Sequence, residues 1–415
     1  MDAILICISI ITFCNATYKT VWWRQYVANL SMSSIVFIDD AHTSGGAQVA
    51  LCLAIGAILR RTNDCVVCMC GPRTRTLLQQ MVGHHARLNV IECPQALPLN
   101  ILSFPLRLPR FLWILVRLRR TGVRAWWLNL SGIEFCIAPL IVLRALGELP
   151  HAWLHNTQST RYFTRTASWS RRCISRLRDG IADRWIFNLY PTLLTPSRAS
   201  ADDLASRLGG LKRTTIGHLY CPMVGEQSSG AEIFGGSDQQ PESECISLWM
   251  IGRVDYGHKN NLAALDATDI LRNMGKAVEL VVVGDGPDLD HFKSTTVARG
   301  LDGIVTFLGW RDDPWKSVPS DAIVLIPSWY ESLNLVAREA MSHGIRLAVS
   351  PLPVFHEWIP EQLIADDFSA DAFAKAIIHV HGMRSSEMRQ LYGKALRKFS
   401  DVNFVESFIA YSDER

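Results

Sequence analysis

No stretch of this 415-residue sequence reaches about 18 uncharged apolar residues, which excludes a polytopic membrane protein. Cysteine is missing beyond residue 245, and the eleven cysteines before that point show no paired spacing that would make a disulfide framework. One run, DCVVCMCG, holds a Cys-x-x-Cys at Cys65 and Cys68 with Cys70 close behind, but no second pair follows to complete a zinc site. It reads as a buried strand in which cysteine serves as a small hydrophobe, and reduced thiols point to a cytoplasmic setting. No acids cluster at metal-binding spacing: Asp39 and Asp40 close an apolar run and read as loop acids. Recognised nucleic-acid motifs are also lacking. Charged residues make up 20% and apolar ones 48%, a globular composition and not a disordered one.

The N-terminus is short of the usual signals. Residues 1–14 (MDAILICISIITFC) are apolar but too few to span a bilayer, and the basic start of a secretory signal is missing. A short membrane anchor, an atypical signal and a start mis-assigned ahead of Met32 are the three readings. A core strand that begins almost at once after Met32 favours the last.

What is present is uneven. Residues 1–215 hold 25 Lys and Arg against 11 Asp and Glu, a net of +14, whereas residues 216–415 hold 17 against 28, a net of −11. A basic half suits an anionic partner, such as phosphate groups or a membrane surface. The plainer alternative is a compositional preference for arginine, which far outnumbers lysine.

Residues 34–40 (SIVFIDD) form an apolar run, followed by the loop HTSGGA and a helical pattern over 48–59: strand, glycine loop, helix. Strand-like runs recur at 64–69, 88–91, 125–130, 151–155 and 192–195, with helical stretches at 132–146 and 168–178. Residues 222–244, rich in Gly, Ser, Pro, Gln and Glu, read as a linker. The pattern then restarts, with strands at 246–251, 278–283, 304–307, 322–326 and 346–349 and helices at 261–274, 289–299, 335–343 and 385–399. Alternation of this kind predicts two α/β domains built on parallel sheets. The expected division is an apolar segment 1–32, a first domain 33–221, the linker, a second domain 245–395, and a helix and tail, 396–415, able to cross back onto the first domain.

The segment IPSWYESLNLVAREAMSHG (326–344) carries the most chemistry. Glu331 and Glu339 stand eight positions apart, about 12 Å along one helix face, or astride a helix start if Glu331 lies in the loop before it. Backbone N–H groups at that start favour an anion, and a diphosphate suits them. Alone, the two acids would be ordinary surface residues. A second element, IGRVDYGHKN (251–260), follows the first strand of the second half and sets Arg253 and Lys259 at a strand's carboxyl end, where α/β sheets bind ligands. Both cations can neutralise a departing diphosphate. VVVGDGP (281–287) lacks the full glycine triplet of a dinucleotide site and reads as a structural turn. FLGW (307–310) places Trp310 either beside a nucleobase or in packing.

Taken in order and spacing, GR…K, VGDGP, FLG and PS…E-x7-E-A…G resemble the group 1 glycosyltransferases, family 4 of the retaining GT-B enzymes, over most of residues 245–385. A fainter likeness runs through FIDDAHTSGGAQ (37–48), HAWLHN (151–156) and TPS (195–197). The resemblance implies GT-B architecture: two Rossmann-like domains facing each other across a cleft, the first binding acceptor and the second nucleotide sugar. It implies that Glu331 contacts the donor sugar, Glu339 the ribose, and Arg253 and Lys259 the diphosphate. Gly45 and Gly46 would approach from the first domain, and His155 matches the family histidine that reaches the sugar. It also implies retention at the anomeric carbon, with no metal and no cofactor beyond the nucleotide-sugar donor. Departures exist: Ser332-Leu333-Asn334 replaces the usual Gly-Phe-Gly or Ser-Phe-Gly, so Asn334, with Leu335 after it, stands where backbone approach to the donor is expected. Arg253 and Lys259 are one residue farther apart than usual.

The acceptor must be sought in the basic half. Residues 104–124 interleave Arg107, Arg110, Arg117, Arg119, Arg120 and Arg124 with Phe, Leu and Trp. Such a segment suits an anionic membrane surface, or a buried helix with a charged outer edge. The first reading predicts a lipid-linked acceptor in envelope polysaccharide or lipopolysaccharide synthesis, and a cytoplasmic protein held peripherally on the inner membrane. Nucleic acid is not expected as a partner. The alternatives are a non-catalytic nucleotide-sugar binder or assembly protein, or another GT-B enzyme such as a sugar-nucleotide epimerase or phosphorylase.

Overall fold

Runs of β-branched, aromatic and small apolar residues become parallel strands, buried at the sheet centres and half-buried at the edges, and the periodic stretches between them become helices that cover both faces. The computed structural model describes residues 34–39, 41, 45–92, 104–132, 136–157, 169–209, 214–223 and 244–413. The apolar start and most of the linker lie outside the described residues. In the first half the order is β1 (Ser34–Asp39), α1 (Gly46–Arg61), β2 (Cys65–Cys70), α2 (Pro72–Met81), β3 (Leu88–Glu92), α3 (Phe104–Arg119), β4 (Val123–Leu130), α4 (Ile137–Ala145), β5 (His151–Leu154), α5 (Trp169–Ile181), β6 (Thr192–Thr195), α6 (Arg198–Leu208) and β7 (Thr215–His218). These strands form one parallel sheet in the order β3-β2-β1-β4-β5-β6-β7. Cys65, Cys68 and Cys70 are buried free thiols of β2.

The second half runs β8 (Ile246–Ile251), α7 (Tyr256–Lys259), α8 (Leu262–Asn273), β9 (Val278–Val283), α9 (Leu289–Ala298), β10 (Val305–Gly309), β11 (Ile323–Ile326), α10 (Leu335–Ser342), β12 (Arg346–Val349), α11 (Pro353–His356), α12 (Ala370–His381), α13 (Ser385–Leu396) and α14 (Asp401–Asp413). Its parallel sheet is ordered β10-β9-β8-β11-β12. Among the described residues no helix is long and apolar enough to cross a membrane.

Two elements depart from expectation. β7 escapes a pattern search because its four residues, TIGH, include one large aliphatic side chain. The helix expected over 385–399 ends at Leu396 in a 3-10 turn, and the tail forms a helix of its own, α14, with Ser400 Oγ accepting the Asn403 N–H at 3.2 Å. α14 lies on the first domain. Phe408 packs against Phe37 and Trp127, the Trp127 indole donates to Ser412 Oγ at 3.1 Å, and Arg60 pairs with Asp401 at 2.7 Å.

The arginine-rich segment 104–124 also resolves into packing. Phe111, Ile114, Leu115 and Leu118 of α3 are buried in the first-domain core. Arg117 lies over the Trp113 ring, Arg119 pairs with Glu148 at 2.6 Å, and Arg124 bridges Asp64 and Asp413. Arg120 is exposed, and the side chains of Arg107 and Arg110 are outside the described residues. Among the described side chains of α3, these four apolar residues face the core.

Candidate active site

The second domain builds its part of the site from the loops after β8 and β11. In the first, Asp255 caps the short α7 by accepting the His258 N–H at 3.2 Å, and this turn brings Lys259 back toward the sheet. The turn is locked from beside by VVVGDGP, whose structural role is plain. A Cβ at Gly284 would lie 1.9 Å from the Gly252 carbonyl oxygen, and one at Gly286 2.1 Å from that of Val254. No other residue fits such a close approach.

After β11, Ser328 and Glu331 turn inward before α10, and the Trp329 N–H donates to the His258 carbonyl at 2.9 Å, tying the two loops together. Lys259 Nζ donates to Glu331 Oε1 at 2.7 Å, as does Ser328 Oγ at 2.7 Å. Glu331 is buried, and burial pushes its carboxyl up. The Lys259 charge, the His258 ring and the hydrogen bonds from Lys259 and Ser328 outweigh that, holding it below the ordinary range. Glu339, on α10, goes the other way. Burial raises it against an opposing hydrogen bond from Trp315 Nε1 at 3.1 Å. Two acids of one motif thus differ in protonation behaviour because only one has a cation at contact distance.

Asn334 caps α10, its Oδ1 accepting the Ala337 N–H at 2.8 Å, from a left-handed backbone with φ of 70°. That conformation explains why glycine is the common residue there and why asparagine substitutes for it. The first domain comes up to the same helix start: a Cβ on Gly46 would sit 3.6 Å from Leu335 Cδ1. Gly45, before the first turn of α1, is exposed beside it. A second bridge crosses nearby, where Tyr330 Oη accepts the Thr157 N–H at 3.3 Å and lies 3.1 Å from Thr157 Oγ1. His155, two residues before Thr157, is buried, and burial lowers its ring pKa to about 3.

Glu331, Lys259, Leu335, Asn334 and Gly46 are therefore gathered at one junction, with His155 on the bridging segment. Arg253 stands at the rim, 56% exposed and 3.7 Å from Asp255 Oδ2. Trp310 follows the edge strand β10 and is 70% exposed, so it is not a packing residue, and its indole reaches Asp312 at 3.3 Å. Asp39 corrects the sequence reading. It is no loop acid but a fully buried end of β1 that accepts hydrogen bonds from Gln48, Thr74 and Asn129. Sequence reasoning also missed Ser328, Tyr330, Thr157 and Asn129. The Ser before the motif glutamate was the one local cue. Among the described residues no group of three or more His, Cys, Asp or Glu is placed to hold a metal.

Comparison with known proteins bears on the fold and on residues 246–382. The family model described as "Glycosyl transferases group 1" matches residues 246–382. A lipopolysaccharide 1,6-galactosyltransferase of Salmonella typhimurium is 22% identical over 177 residues, 40% of this chain and 49% of that protein, so the match spans about half of the relative's length. Among solved structures, Anabaena HepE in complex with UDP and glucose superposes with a TM-score of 0.66 at 15% identity, covering 92% of this chain and all of that one. The apo form of the lipopolysaccharide outer core galactosyltransferase WaaB gives 0.61 at 16% identity, covering 91% and 98%. The architecture is GT-B, and residues 246–382 match the glycosyl transferases group 1 family model.

Proposed function

We propose that this chain is a retaining, metal-independent hexosyltransferase that moves a sugar from a nucleotide diphosphate to a lipid-linked glycan in cell-envelope polysaccharide or lipopolysaccharide synthesis. The observation that carries the reading is the buried Glu331, kept ionised by Lys259 at the start of α10 and faced by the Gly46 loop. One N–H bond of Lys259 goes to Glu331, and two remain for a diphosphate. Arg253 and the first-turn N–H groups of α10 add positive potential where charge grows as the glycosidic bond breaks. As the bond between the anomeric carbon and the phosphate oxygen breaks, the acceptor hydroxyl's oxygen bonds to that carbon on the same face and its proton passes to the leaving phosphate. On this reading Glu339 meets the ribose hydroxyls and Trp310 the base. A galactosyltransferase among the relatives and a structural neighbour solved with UDP-glucose make UDP-galactose and UDP-glucose the first donors to try.

The test is UDP release with and without a lipid-linked oligosaccharide, in EDTA, with the product's anomeric configuration read by NMR. Acceptor-dependent release and a retained configuration are expected. Tight donor binding with no release across acceptors would instead identify a nucleotide-sugar binder.

The surface that meets the lipid is α5 and its continuation. Trp169, Leu177, Ile181, Trp185 and Leu189 are exposed at multiples of four residues, and no described side chain of α5 joins either hydrophobic core. Residues 161–184 hold seven arginines against two aspartates, and Arg176 and Arg184 are exposed. An exposed apolar stripe on a cationic helix matches an anionic bilayer surface. Trp169→Ser with Trp185→Ser is expected to release the protein from phosphatidylglycerol vesicles at unchanged thermal stability. Unchanged co-sedimentation would refute this surface.

A further inference from the structure

Three neighbouring strand ends of the first sheet carry a polar chain that the transfer chemistry above does not use. Asp39 ends β1, Asn129 stands one residue before the end of β4, and His155 follows β5. On Asp39, Oδ1 accepts from Gln48 Nε2 and Asn129 Nδ2, each at 3.1 Å, and Oδ2 accepts from Thr74 Oγ1 at 2.8 Å. Asn129 Nδ2 also points at the Ala47 carbonyl at 3.4 Å, and Asn129 Oδ1 lies 2.9 Å from His155 Nε2.

The chemistry of these partners fixes the hydrogens. The Ala47 backbone carbonyl can only accept and so requires the NH2 side of Asn129; Asp39, whose carboxyl burial raises against the hydrogen bonds of Thr74, Asn129 and Gln48, accepts from that same side. The other side is then the carbonyl oxygen, which only accepts. His155 Nε2 must carry the hydrogen, and Nδ1 is left as the ring's acceptor. Because burial depresses the ring's basicity, both nitrogens are not protonated together near neutral pH. Gln48 lies in the first turn of α1 and also donates to Ser131 Oγ at 2.7 Å. One carboxylate therefore sets both the helix behind the Gly46 loop and the histidine ring.

We propose that Asp39 and Asn129 are positioning residues that lock His155 in its Nε2–H tautomer, so that the ring meets a sugar hydroxyl as a hydrogen-bond acceptor through Nδ1. The role toward the sugar rests on the transferase reading; the tautomer does not. An acceptor here rewards a donor that carries the matching hydroxyl and penalises one that lacks it, since the lone pair is then buried without a partner.

The experiment uses the full chain labelled with 15N-histidine, with His155 assigned by the signals lost in His155→Gln. The Nε2–H pattern is expected in the unsubstituted protein, unchanged from about pH 6 to 8. Asn129→Ala should yield mixed tautomers in a cooperatively unfolding protein. It should also lower kcat about tenfold, the worth of one well-placed hydrogen bond, with a smaller change in donor KM. An Nδ1–H pattern in the unsubstituted protein overturns the proposal, and so does an Asn129→Ala variant that keeps both tautomer and kcat. If Asn129→Ala fails to fold, the unsubstituted spectrum decides alone. An Nε2–H spectrum in a protein without transferase activity would sink the transferase reading and leave the lock standing.

Discussion

Lys259→Ala is expected to lower kcat for sugar transfer by about 10²–10³-fold while the protein still folds. The side chain does two things that alanine cannot. It holds Glu331 ionised through the 2.7 Å contact, and on the proposed reading its remaining N–H bonds go to the diphosphate. Without it, the burial that pushes the Glu331 carboxyl up is no longer opposed by the largest of the favourable charges. The carboxylate then takes a proton near neutrality more readily and loses its charge toward the sugar. Removing one partner of a fully buried ion pair costs roughly 3–5 kcal/mol, but Lys259 is about a quarter exposed and Glu331 can protonate, so the loss here falls below that range. Initial rates of UDP release, alongside denaturant unfolding, separate the two effects. Near-normal turnover in this variant would remove Lys259 from the chemistry.

The largest stability effect expected from a single substitution lies far from the cleft. Phe408→Ala should destabilise the protein by roughly 3–5 kcal/mol, the usual range for deleting a buried aromatic ring. Phe408 is 1% exposed, stacks on Phe37 and Phe404 and lies tilted against Trp127, so it joins α14 to the first domain's β1 and β4. Because α14 follows the second domain in the chain, loosening it frees a tie between the halves as well as opening a cavity. Urea unfolding should show a lower midpoint, and a drop under about 1 kcal/mol would mean that α14 contributes little.

Much of this architecture is legible in the sequence for a physical reason. Strands buried on both faces must be short, continuous and apolar, and β2 and β11 are. Glu331, Lys259, Glu339, Arg253 and Asn334 are legible because the ligand-facing loops of such a sheet follow its strands directly. What stays hidden depends on distant partners. Asn129 contacts Asp39 across 90 positions and Tyr330 meets Thr157 across 173, and no local pattern announces either pair. Asp39 looks like a loop acid because its donors come from α1, α2 and β4. The segment around Arg117 shows the opposite limit: an apolar face edged with arginine has the same spacing whether it lies on lipid or on its own core. Packing assigns its described half, with Leu115 and Leu118 fully buried in α3, to the core.

A crystal structure with a non-hydrolysable UDP-hexose would test the proposed donor grip at atomic detail. The phosphate oxygens should lie within about 3 Å of Lys259 Nζ and of the first backbone N–H groups of α10, with the Gly45–Gly46 loop opposite. A donor held anywhere else, with Lys259 still bonded only to Glu331, would show that this junction is a structural ion pair and not the seat of transfer.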